Sequence, residues 1–66
     1  MQLNIWLIGD EDFIAIHQSE LLDYGTEEIY NQYVGGSDEI IEIHKKEYRY
    51  AINRKAIAYM CLCEKD

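Results

Sequence analysis

Three apolar runs of period two, crowded into the last third of the chain, restrict its fold more than any other feature. Between Glu39 and Glu64, Ile41 and Ile43 alternate with Ile40, Glu42 and His44. Tyr48, Tyr50 and Ile52 then alternate with Glu47, Arg49 and Ala51, and Ile57 to Cys63 runs without a charge. Side chains that recur every second residue line one face of a strand. The stretch therefore predicts three strands, broken at Lys45-Lys46-Glu47 and at Asn53-Arg54-Lys55.

The chain before it supplies two more strands and a helix. Leu3, Ile5 and Leu7 alternate with Asn4, Trp6 and Ile8, a strand apolar on both sides and so suited to a central position. Gly9-Asp10-Glu11-Asp12 has the residues of a turn, and Phe13 to His17 closes a hairpin. Ser19 is placed to cap a short helical turn through Asp23, which Gly25 interrupts. Thr26 is a suitable N-cap, with Glu27 and Glu28 in the favourable first turn. Ile29, Tyr30, Tyr33 and Val34 share one face, and Gly35-Gly36 predicts a left-handed end. So short a helix is stable only when packed on something. The expected fold is α+β, in the order β-β-α-β-β-β. It would be one small twisted antiparallel sheet or open barrel, with the short helix packed on one face. At 66 residues the chain is one domain, 1–66.

A chain of this length buries only about 60% of the surface its unfolded form exposes, so an added staple is expected. Cys61 and Cys63 project on the same side of a strand and would close no useful loop. On strict alternation Ile57, Tyr59, Cys61 and Cys63 share one side of the last strand, and Ala58, Met60 and Leu62 the other. One helix cannot cover every apolar face so created, so a homodimer or higher homo-oligomer is expected. On that reading Met60→Lys or Leu62→Lys splits the oligomer or unfolds it. The start, MQLNIWLIGDED, has neither the basic residues of a signal peptide nor the length of a membrane span. Free thiols without an export signal predict a reducing cytoplasm, that of the host for a phage-borne chain, with no membrane partner.

Charge is divided unevenly. Residues 1 to 42 carry ten Asp or Glu and no Lys or Arg, whereas residues 43 to 66 carry six Lys or Arg against three acids, giving a net −7. Such a surface repels a phosphate backbone, which argues against direct nucleic-acid binding. The basic segment nonetheless interleaves cations with aromatic rings. Lys45, Lys46, Tyr48, Arg49, Tyr50 and Arg54 are the residues expected to hold an anionic, nucleotide-like ligand if there is one. The plainer reading of that segment is a hairpin whose charges discourage edge-to-edge aggregation.

Chemistry finds little support. His17, His44, Cys61 and Cys63 are enough donors for zinc, but the paired-knuckle spacing is missing, so no metal and no cofactor are expected. No cation flanks the thiols to activate them. The hydroxyls Ser19, Thr26 and Ser37 fall at caps and turns, outside any nucleophile elbow. Gly35-Gly36 follows a helix, whereas a phosphate loop precedes one. No catalytic residues are expected.

What remains is a small acidic binding protein. Its expected working surface is Asp10, Glu11, Asp12, Glu27, Glu28, Asp38, Glu39 and Glu42, a spaced carboxylate array engaging a basic, nucleic-acid-binding site on a partner protein. In size and charge the chain is similar to small phage-borne proteins that inhibit a host enzyme or defence system, which implies an inhibitor or DNA mimic. The alternatives are an oligomeric binder that sequesters the nucleotide-like ligand, and a structural assembly protein.

Overall fold

A computed structural model describes residues 1–64; Lys65 and Asp66 lie outside the described residues. The elements are β1 (Gln2–Leu7), β2 (Phe13–His17), α1 (Thr26–Gly35), β3 (Ile40–His44), β4 (Arg49–Asn53) and β5 (Ile57–Cys63), with 3-10 turns at Gln18–Glu20 and Arg54–Ala56. The fold is α+β in the expected order. Its strands are divided between two antiparallel sheets, a three-stranded one ordered β2-β1-β5 and the hairpin β3-β4. Consecutive β4 and β5 thus separate, because the turn between them redirects the chain. Asn53 accepts the Lys55 N–H at 3.0 Å and starts the 3-10 turn in place of a tight hairpin loop. β5 then runs along β1, which takes the central position its two-sided pattern predicts.

The pairing of β1 with β5 contains one irregularity. Trp6 lies opposite Tyr59 but Leu7 lies opposite Ile57, which leaves Ala58 as an extra residue. Such a bulge interrupts the alternation of side chains. Ile57 therefore turns inward with Met60 and Leu62, while Ala58 and Tyr59 both face out. Strict alternation predicts Ile57 on the same side as Tyr59, Cys61 and Cys63, and the bulge overturns that. The apolar surplus that sequence assigns to β5 is thereby reduced, and Met60 and Leu62 pack in the chain's own core.

One core serves both sheets and the helix. Leu3 and Ile5 of β1, Ile16 of β2, Ile29 of α1, Ile41 and Ile43 of β3, and Ile52, Ile57 and Met60 beyond them are buried together with Leu21. The helix packs against β1, β3 and β5. Its buried stripe is Thr26, Ile29, Tyr30 and Tyr33; Val34, expected on that face, is 62% exposed. Positions at i, i+3, i+4 and i+7 form the stripe, so it begins one turn before Ile29.

Both helix ends are held by distant side chains. The N-cap is Gly25, not Thr26, and it has no side chain to offer. Gln18 substitutes for it, since its Oε1 accepts the Thr26 N–H at 2.9 Å and the Thr26 hydroxyl at 3.1 Å. Glu28 reaches back to accept the Gly25 N–H. At the other end Gly36 is extended (φ −91), not left-handed. A Cβ there would come within 2.5 Å of the Gln32 carbonyl, so glycine serves close approach rather than an unusual dihedral angle. The left-handed position belongs to Gly9 (φ 91), in the turn after β1.

Candidate functional site

The three-stranded sheet has one face on the core and one on solvent. Register fixes the solvent face in rows. Phe13, Trp6 and Tyr59 form the first row, Ala15, Asn4 and Cys61 the second, and His17, Gln2 and Cys63 the third. In the first row Trp6 lies between two rings, 4.8 Å from Phe13 at a tilt of 41° and 4.4 Å from Tyr59 nearly parallel. Offset and tilted pairs at such distances are mutually attractive. Phe13 is 45% exposed and Tyr59 53%, and Ile8 beside them 68%. The second and third rows are polar. Gln2 donates to Asn4 at 2.7 Å, Asn4 donates to the Cys63 sulfur at 3.6 Å, and Cys61 and Cys63 stand 3.9 Å apart. The thiols therefore lie on this outer face, Cys61 exposed, instead of in the core. The Cys63 thiol is pushed above its ordinary range, first by its contact with Cys61 and then by burial. Among the described residues no three His, Cys, Asp or Glu side chains converge on a point where a metal ion would sit.

The acidic residues singled out in the sequence do not gather on one face. Asp10, Glu11 and Asp12 form the exposed β1–β2 turn, at the aromatic end of the sheet. Glu27 and Glu28 belong to the helix N-terminus, which is tied to Gln18 at the sheet's opposite end. Strand geometry puts about 20 Å between Gln18 and Asp12. Asp38 and Glu39 flank the helix C-terminus, and their backbone carbonyls accept from Arg54. Glu42 is held by a histidine.

That histidine, His44, is a contact sequence reasoning missed. Its Nδ1 lies 2.8 Å from Asp23 and its Nε2 3.1 Å from Glu42. Two carboxylates on two ring nitrogens favour the imidazolium, and its pKa is raised, first by Asp23 and then by Glu42. Beside it Lys45 pairs with Glu20 at 2.6 Å, which holds the Glu20 carboxyl below its ordinary range and raises Lys45. Leu21 and Lys45 form a bridge between these contacts. Residues 20–23 are thus clamped to residues 44–46.

The basic set is largely occupied as well. Arg54 donates through Nε to the Asp38 carbonyl at 2.6 Å and through Nη1 to that of Tyr33 at 2.6 Å, and its Nη2 bonds the Gln32 carbonyl. It closes the helix C-terminus, where free carbonyls attract a cation. Tyr50 packs against the core. Tyr48 stacks on Tyr50 and accepts from Lys45. That leaves exposed Lys46 and Arg49. An open cleft of about 380 Å³ lies beside Ser19, Glu20, Lys45, Lys46, Glu47 and Tyr48. With Lys45 neutralised by Glu20 and a second acid on its wall, the cleft is a poor anion cradle.

Compared with protein-family models, curated proteins and solved structures, the chain matches none. Among the described residues no helix is long and apolar enough to cross a membrane.

Proposed function

We propose that this is a non-enzymatic binding protein whose aromatic sheet face engages a basic, partly apolar surface on another protein, as an inhibitor or regulator would. The observation that carries the reading is the row Phe13–Trp6–Tyr59, ring on ring and open to solvent, bordered at its end by Asp10, Glu11 and Asp12. Interface centres favour aromatic anchors, with charge kept to the rim. A rim of three carboxylates selects a cationic partner and speeds its encounter. The same carboxylates repel a phosphate backbone, so the rings are poorly placed to stack nucleic-acid bases. The acidic surface expected from sequence is thereby narrowed to Asp10, Glu11 and Asp12, with the remaining acids as background field.

The experiment uses Trp6, the single tryptophan, as its reporter. Titration with peptides that combine Lys or Arg with Leu should change its emission saturably. Phe13→Ser with Tyr59→Ser should weaken that binding at least tenfold. Reversing Asp10, Glu11 and Asp12 to Lys should do the same and remove the salt dependence, whereas reversing Glu27 and Glu28 should change little. Binding that persists in 1 M salt, where screening acts over about 3 Å, and survives the turn reversal would overturn the reading.

A further inference from the structure

The three-stranded sheet ends in two edges of different character. The β5 edge carries the bulge at Ala58, a device that discourages further pairing. The β2 edge is regular: Phe13 to His17 pairs with β1 without irregularity and contains no Lys, Arg, Asp, Glu, Pro or Gly. Its one guard is at the His17 end, where the Glu20 carboxylate, paired with Lys45, lies against the His17 backbone; Phe13 to Ile16 carry none.

The direction of its free backbone groups follows from parity. The Gln18 N–H donates to the Met1 carbonyl at 3.1 Å, so even-numbered residues of β2 turn their backbone groups toward β1. In an antiparallel ladder successive residues alternate in direction. Phe13, Ala15 and His17 therefore direct their N–H and C=O groups away from the sheet. These groups are spaced symmetrically about Ala15.

We infer that β2 is a self-association edge, pairing antiparallel with β2 of a second copy about a two-fold axis through Ala15. In that register Ala15 faces Ala15, Phe13 faces His17 and Ile14 faces Ile16. The Ala15 pair exchanges two hydrogen bonds and each Phe13 N–H meets a His17 C=O, giving four; the His17 N–H stays with the Glu20 carboxylate of its own chain. Directly opposed residues in such a ladder point to the same side. The half-buried Ile14 is covered by the second copy's Ile16 on the core side, and the outer side receives Phe13 against His17. Asp12 comes beside His17 of the other copy, while the Asp10–Glu11 end of the turn comes alongside its Glu20, which Lys45 neutralises; the centre of the seam carries no charge. The product is one continuous six-stranded sheet, β5-β1-β2-β2-β1-β5, with both aromatic rows on one face. This edge shares Phe13 and Asp12 with the acid-rimmed aromatic row but works through its backbone groups, and it replaces the apolar β5 face from which sequence argues for an oligomer.

Sedimentation equilibrium from about 1 µM to 1 mM, with amide exchange read residue by residue, tests the inference. The wild type should dimerise, and the Phe13 and Ala15 amides should gain protection as concentration rises. Ala15→Pro removes the two central hydrogen bonds and no intramolecular one, because proline is tolerated on an edge strand whose N–H faces out. It should keep the fold and weaken the dimer at least about tenfold. Ala15→Lys puts like charges directly opposite each other and should do likewise. Should proline perturb the fold, the lysine variant still decides. Three results overturn the inference: a wild type that stays monomeric at 1 mM, a dimer indifferent to both variants, and odd-numbered amides protected only by a different protein. None depends on the Lys-rich or Arg-rich peptides that test the aromatic row, so each reading can fail without the other.

Discussion

The hairpin β3-β4 and the three-stranded sheet β2-β1-β5 are built alike on the inside and differently on the outside. Each presents buried aliphatic residues to the shared core, Ile41, Ile43 and Ile52 from one and Leu3, Ile5, Ile16, Ile57 and Met60 from the other. On the outer side the hairpin shows Glu42 and His44 facing Ala51 and Arg49, a charged surface suited to water. The sheet shows stacked rings, an amide pair and thiols, with no Lys, Arg, Asp or Glu in its three rows. Folding needs only the inner faces. The outer faces are where the two sheets have been free to differ, and only one of them offers the composition of an interface.

The strongest test of the common interior is a pair of large-to-small changes. Ile5→Ala in the sheet and Ile41→Ala in the hairpin, both fully buried, should each cost about 2 to 5 kcal/mol, measured by urea unfolding. In a domain this small that is a large share of total stability. If Ile41→Ala costs less than about 1 kcal/mol, the hairpin is peripheral and the two sheets do not share a core.

A second contrast lies between two arginines. Arg54→Ala should cost about 1.5 to 3 kcal/mol, since three charge-assisted bonds at the helix C-terminus are lost. Arg49→Ala should stay within about 0.5 kcal/mol, as surface changes usually do. Equal effects would mean that the cap contributes no more than an exposed side chain.

Smaller effects are expected on the outer faces. Tyr59→Ala removes one stacked ring and should cost about 0.5 to 1.5 kcal/mol, with a shift in Trp6 emission. Because it leaves the fold in place, it separates binding from stability. A Tyr59→Ala protein that fails to fold would show that the row is structural.

How far sequence reveals this depends on the range of the interactions concerned. The strands of β1 and β3 are legible because alternation is a local record of burial, and Leu3, Ile5, Ile41 and Ile43 are all found inside. The core-facing part of α1 is legible for the same reason, although Val34 is not in it. Ala58 gives no local signal that it is an extra residue, since the bulge exists only relative to Trp6 on another strand. Arg54 looks like a ligand-binding cation until the chain brings the helix C-terminus to it. Sequence puts Cys61 and Cys63 on one side of β5, but only the pairing of β5 with β1 decides that this side is the outer one. Asp10, Glu11 and Asp12 were legible as an exposed acidic turn, but their place beside an aromatic row depends on three strands meeting in register.

The smallest expected effect concerns the clamp between residues 20–23 and 44–46, and it sharpens the contrast on the hairpin side. His44 has its pKa raised in the folded state by Asp23 and Glu42. Its contribution is therefore complete below the unfolded value of about 6.5 and disappears as pH rises through the higher folded value. Glu20 has the opposite sign. Lys45 depresses its pKa, so that pair contributes above the ordinary carboxylate range and is lost only as pH falls through the lowered value. The two windows overlap at mildly acidic pH, where the clamp should be tightest. The Leu22 amide, which donates to the His44 carbonyl at 2.9 Å, is the local reporter. Its exchange protection, corrected for intrinsic rate, should decline from pH 6 to pH 9 in the wild type and stay level in His44→Gln. The wild-type aromatic row should show no such trend, because no carboxylate–imidazole pair reaches Trp6 among the described residues. A decline of equal size in His44→Gln would assign the pH dependence to another group and leave the clamp a purely structural contact.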